Sequence, residues 1–147
     1  MGIRIPNKKI FQTWSELDLL TGVIYGEARG EGWDAKVGVG LTVRTRAEHP
    51  GHWNWGRNYR EIILRSKQFS CFNPGDPNLL KIIEADKTGP VWQECRMVAE
   101  AIYLGRIIDF VGGPTHYHSA SMKRLPRWAK KIKRIGQFGR LIFYTCF

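Results

Sequence analysis

Apolar residues recur at helical spacing through much of this chain, and the first such run carries an anomaly. Over residues 14–28, Leu17, Leu20, Val23, Ile24 and Glu27 fall at offsets of three, four and seven from one another, the signature of one buried helix face. Thr13 or Ser15 can cap this helix, Glu16 and Asp18 suit its first turn, and Gly30 and Gly32 end it. Glu27 thus occupies a position in the last turn where a hydrocarbon side chain is expected. Residues 34–47 read two ways. Val37, Val39, Leu41 and Val43 alternate as in a strand, whereas Asp34 and the small residues suit a capped helix. Gly38 and Gly40 weaken either structure and admit a close neighbouring backbone.

Further along, residues 49–58 form a loop rich in Gly, Pro and Trp, and 59–66 a short helix with Ile62 and Ile63 inward. A loop over 67–75 leads to Asp76-Pro77, which opens a helix bearing Leu79, Leu80, Ile82 and Ile83. Pro90 opens a stronger helix with a stripe of Val91, Cys95, Val98, Ala99 and Ile102, closed by Gly105. Gly112-Gly113-Pro114 turns the chain into Thr115-His116-Tyr117-His118. Leu125, Trp128, Ile132 and Ile135 predict a short basic amphipathic helix over 127–134, and residues 141–144 a last strand reached through Gly136 and Gly139. No repeat or interdomain linker interrupts the series. The expectation is an N-terminal lead-in over 1–13 followed by one mainly helical α+β domain over 14–147.

Composition narrows the functional class. A chain of 147 residues suits one core, and no apolar run approaches the roughly 20 residues of a membrane span. Cys71, Cys95 and Cys146 form no CxxC pair, which argues against a disulfide framework and a zinc ribbon and for free thiols. The net charge is +10, and after Asp109 there is no acidic residue, while Lys123, Arg124, Arg127, Lys130, Lys131, Lys133, Arg134 and Arg140 all follow. Such a field attracts polyanions: nucleic acid, anionic lipid or an anionic cell wall. The first 13 residues are polar and basic, so no export signal is expected there.

Glu27 is the leading candidate for chemistry. On an apolar face its carboxyl is partly desolvated, which raises its pKa and suits it to donate a proton near neutrality. The competing reading is a helix-end carboxylate paired with Arg29 or another arginine. His116 and His118 alternate and so share one side of a strand. Zinc would need a third protein ligand, and His49 and His52 lie far away in sequence; neither metal nor cofactor is expected.

Four ordered blocks give the chain a recognisable likeness: Val23-Ile24-Tyr25-Gly26-Glu27-Ala28-Arg29-Gly30-Glu31, Gln68-Phe69-Ser70-Cys71-Phe72, Thr115-His116-Tyr117-His118, and Pro126-Arg127-Trp128-Ala129 followed by Ile135-Gly136 and Phe143-Tyr144. Together they resemble the SleB-type cell-wall hydrolases, a group that includes spore-cortex-lytic enzymes and phage endolysins. The likeness spans residues 17–144. It implies a lysozyme-like fold with a small β element beside the cleft, and hence a helix for 34–47. It implies peptidoglycan as substrate, with Glu27 as the single acid/base of a lytic transglycosylase. The candidate substrate-binding residues are Tyr25, which positions Glu27 or packs in the core; Gln68 and Ser70, which bond an N-acetyl group or sugar hydroxyl or cap their loop; His116, lining the cleft; and Tyr117, a sugar platform, with Trp128 as a further platform or core residue. A two-carboxyl hydrolase would need Glu31 or Asp34 as partner; Glu31 reads equally as bound to Arg29 or Arg44. Two features depart from the family pattern. No export signal or wall-binding module is evident, and the loop 53–58, with two tryptophans, is longer than typical. Both suit an endolysin released by a holin. The alternatives are a zinc-dependent amidase built on the histidines and a basic nucleic-acid-binding module; nucleic acid is not the expected partner. The basic tail would add attraction to an anionic envelope, and a helix at 127–134 could disturb an outer membrane.

Overall fold

A computed structural model of the chain describes residues 8–65 and 68–147. The first seven residues of the expected lead-in, and Ser66 at the end of the third predicted helix, lie outside the described residues. Residues Lys8–Thr13 are not a loose lead-in: they form a 3₁₀ turn that buries Phe11 against Trp14 and Phe72.

Helix α1, Glu16–Ala28, is capped by Ser15, whose Oγ accepts the Asp18 N–H at 3.1 Å. The predicted single stripe is only part of its burial. Leu19, Thr21, Gly22 and Gly26 are buried alongside Leu20, Val23 and Ile24, whereas Leu17 is only half-buried. The reason is position: α1 is the central helix, packed against every other helix of the domain. Helix α2, Trp33–Glu48, decides the ambiguous segment in favour of helix. Residues 35–43 are buried without interruption, which explains why no helical stripe was visible. Gly38 and Gly40 do admit close neighbours, but these are side chains, the Phe143 ring and the Ile102 tip, not backbone.

Helix α3, Tyr59–Leu64, is capped by Asn58, and α4, Pro77–Glu84, by Asp76. Leu79 and Ile82 of α4 are buried, but Leu80 is exposed. Helix α5, Pro90–Tyr103, buries Trp92, Cys95, Val98, Ala99 and Ile102. Val91, expected inside, is exposed, and Trp92 takes the inward position. Gly105, at φ 71°, follows the helix in the left-handed conformation of a C-terminal stop.

Three strands follow: β1, His116–Ser119; β2, Lys133–Phe138; and β3, Leu141–Thr145. They form an antiparallel sheet in the order β1-β3-β2, with Tyr117 opposite Phe143 and Ser119 opposite Leu141. The predicted basic helix over 127–134 does not form as such. Arg127–Lys130 is a 3₁₀ turn, and the chain then enters β2, which is irregular between Arg134 and Gly136. Its apolar residues had mimicked helical spacing. One sheet face sets Phe143 on Gly38 of α2. The edge strand β1 and the C-terminal end of α1 both line one cleft.

Candidate active site

The cleft has a volume of about 930 Å³ and is built mainly from the end of α1, the loop around Gln68 to Ser70, strand β1 and the stretch Met122 to Trp128, with Arg46, Asn78, Arg140 and Leu141 completing its wall. Glu27 lies on its floor. The side chain is there because Gly26 lets α1 pack directly on Cys71 and Ile82, which brings the loop onto the carboxyl. Oε1 accepts the Ser70 hydroxyl and the Cys71 N–H, both at 3.4 Å. These bonds are long, so they offset little of the lost hydration. Burial therefore prevails and pushes the Glu27 carboxyl above the usual range; the Cys71 and Ser70 bonds pull the other way, and the charge of Asp76 adds to the rise.

Tyr117 reaches the same region from β1. Its hydroxyl is the one buried side-chain polar atom without a hydrogen-bond partner among the described residues. Burial, followed by the nearby charge of Glu27, pushes its pKa well up, so the phenol stays neutral and able to donate.

Glu31 also lines the cleft, but it is committed. Its Oε1 accepts the backbone N–H of Arg140 at 2.8 Å, and Oε2 lies 3.8 Å from the Arg140 guanidinium. The partner is thus neither Arg29 nor Arg44. Arg29 caps α1 through the Tyr25 carbonyl and bonds Asn78 at 2.9 Å, while Arg44 meets Glu48 and the Ile107 carbonyl. Asp34 is exposed outside this cleft.

Of the other expected site residues, Gln68, Ser70, His116 and Tyr117 line the cleft, and Tyr25 does not. Tyr25 packs on Trp92, with ring centroids 5.3 Å apart, and under Arg29. Two residues along an α-helix is a turn of about 200°, so Tyr25 cannot share a face with Glu27. Gln68 is held by Arg46, whose Nη1 donates to Oε1 at 2.9 Å while Nε donates to the Thr115 carbonyl at 2.9 Å. Arg46 went unnoticed in the sequence. The available signal was an arginine continuing the apolar run of α2. Burial lowers its pKa to about 10, which leaves it charged. Burial and then Arg46 lower His116 to about 4, so that imidazole is neutral.

His116 and His118 do share one side of β1, where both meet the Trp128 ring. His118 engages both ring nitrogens, with the Ser119 carbonyl at 2.8 Å and the Tyr144 hydroxyl at 2.9 Å. Among the described residues, no three His, Cys, Asp or Glu side chains converge as metal ligands, which is the convergence the amidase alternative requires.

A sequence profile described as Cell Wall Hydrolase matches residues 30–144. The chain belongs to the cell wall hydrolase family. The matched span holds the cleft segments from Gly30 onward and begins just after Glu27. No curated protein matches the chain in sequence. Two solved structures share the fold of this cell wall hydrolase. The catalytic domain of the germination-specific lytic transglycosylase SleB from Bacillus anthracis superposes with a TM-score of 0.67 at 16% identity, covering 90% of this chain and 98% of that one. The catalytic domain of the Bacillus cereus SleB protein gives 0.65 at 17% identity, covering 99% and 100%. The mainly helical, lysozyme-like α+β architecture expected from the sequence is thus borne out.

Proposed function

We propose that this cell wall hydrolase cleaves the β-1,4 glycosidic bond of peptidoglycan glycan strands as a lytic transglycosylase, with Glu27 as its single acid and base. The observation that carries this reading is the contrast between the two carboxyls of the cleft. Glu27 is poorly compensated and proton-retaining, whereas Glu31 is held by Arg140.

In the first step the Glu27 carboxyl gives its proton to the bridging oxygen as the bond from that oxygen to the anomeric carbon breaks. Glu27 is then a carboxylate facing an electron-poor anomeric carbon. It takes the proton of the same sugar's 6-hydroxyl, whose oxygen bonds to the anomeric carbon and closes a 1,6-anhydro ring. Glu27 ends protonated, as it began, and no water is consumed. The Tyr117 hydroxyl, lacking a protein partner, would donate to the carboxylate or to a sugar oxygen when that charge develops. Gln68, fixed by Arg46, keeps its amide N–H groups for an N-acetyl carbonyl, and Ser70 adds a hydroxyl. One of the two structures that share the fold is the catalytic domain of a lytic transglycosylase, which supports this choice over hydrolysis. Positive charge along the C-terminal third would hold the enzyme near an anionic envelope.

Digestion of purified peptidoglycan in ¹⁸O-water tests the reaction type. Anhydro-muramyl ends without label are expected. Label at new reducing ends would make the enzyme a hydrolase and reopen the search for a second carboxyl.

A further inference from the structure

The loop after α2 carries two tryptophans with opposite fates. Trp55 is 1% exposed, and its indole N–H donates to the Arg46 and His49 carbonyls, both at 3.0 Å. It anchors the loop. Trp53 is 51% exposed and contributes nothing to the core. Trp53 and Asn54 both adopt left-handed conformations, with φ of 51° and 59°, which bulky L residues rarely hold. The loop is closed by the Gly51 N–H to the Gly56 carbonyl at 2.9 Å and gripped from outside by Arg65 on the Asn54 carbonyl.

The held ring touches the cleft. Trp53 meets His116 edge-on at 4.8 Å between centroids, and His116 meets Trp128 at 4.8 Å; His116 and Trp128 both line the cleft. On the far side, His52 stacks near Trp53, and Phe147 packs on His52 at 5.0 Å. An aromatic band therefore leaves the cleft at His116, the first residue of β1. The Glu31–Arg140 contact lies at the opposite end of that strand, since Ser119 pairs with Leu141. An extended polymer lying along β1 past Glu27 would emerge over Trp53.

We propose that Trp53 is a distal saccharide platform that takes the apolar face of a pyranose ring of the glycan strand, beyond the sugars that flank the cleaved bond. This rests on the glycan-cleaving reading above. An exposed indole whose loop backbone is hydrogen-bonded in place beside the cleft is the chemistry that binds such a face, because it supplies a flat apolar area.

The test uses the uncleaving Glu27→Gln protein, titrated calorimetrically with peptidoglycan-derived tetrasaccharide and dodecasaccharide. Trp53→Gly is added to it, which removes the ring while suiting the left-handed backbone; Trp53→Phe is the conservative control. The expected result is about a tenfold loss of dodecasaccharide affinity with Trp53→Gly, less than twofold loss for the tetrasaccharide, and recovery of most affinity with Trp53→Phe. Unchanged dodecasaccharide affinity, or an equal loss for both lengths, would overturn the platform. Binding of neither oligomer by Glu27→Gln itself would instead overturn the glycan reading beneath it.

Discussion

Replacing Gly26 with alanine would put a methyl group where the structure has no room, one residue from the proposed acid. An ideal Cβ there would lie 2.7 Å from both Cys71 Cβ and Ile82 Cδ1, and 2.9 Å from Cys71 Sγ. Ile82 can rotate, but Cys71 Cβ is tied to the backbone of the turn Ser70–Phe72. Overpacking of this kind costs about 1–3 kcal/mol. Alanine returns up to about 1 kcal/mol of helix preference. A net destabilisation of about 1 kcal/mol follows, equivalent to a fall of roughly 2–4 °C in melting temperature for a domain of this size. The same sequence holds graded controls. Alanine at Gly22 would meet Phe72 at 3.3 Å, while at Gly30 nothing lies within 4 Å. Thermal unfolding should therefore rank the variants as Gly30→Ala close to wild type, Gly22→Ala slightly affected and Gly26→Ala clearly lowest. Activity at a temperature where Gly26→Ala is folded should also fall, because the Cys71 N–H and Ser70 hydroxyl that meet Glu27 move with the turn. A Gly26→Ala protein that melts at or above wild type, or three variants that behave alike, would refute this packing argument.

Glu27→Gln should raise stability at neutral pH. A carboxyl whose folded pKa is raised loses stability as pH climbs from its unfolded value through the folded one; the gain should vanish below about pH 4 in parallel melts. Glu31→Gln keeps an acceptor for the Arg140 N–H, so activity should stay within about tenfold of wild type; complete inactivation with the fold intact would identify a second catalytic carboxyl. His116 should titrate near pH 4 by NMR, from an ordinary value of 6.5. Its depressed pKa means that it contributes stability that is lost as pH falls from about 6.5 to about 4. A transition above pH 6 would contradict the burial described for it.

The helices with polar caps were legible because Ser15 and Asp76 carry their own start signals. Helix α2 was not, since burial on all sides erased the periodicity on which such readings depend. Strand β2 was misread because Lys133, Arg134 and Ile135 continue the spacing of a basic amphipathic helix, and only the hairpin with β3 shows otherwise. The site was half visible. Glu27 stood out as a carboxylate on an apolar stripe, and His116 and His118 as residues on one side of a strand. Arg46 escaped because its role depends on contacts with Thr115 and Gln68, at 69 and 22 residues' separation. Glu31 found its partner, Arg140, 109 residues away, and no local spacing could have indicated it.

The proposed reaction stands or falls with Glu27 as its acid and base. The most direct measurement is digestion of purified peptidoglycan by wild type and by Glu27→Gln, each shown to be folded, with mass analysis of soluble products. Wild type should release anhydro-muramyl fragments and Glu27→Gln none. Equal product release by both proteins, or stem peptides freed from intact glycan by both, would contradict that role of Glu27.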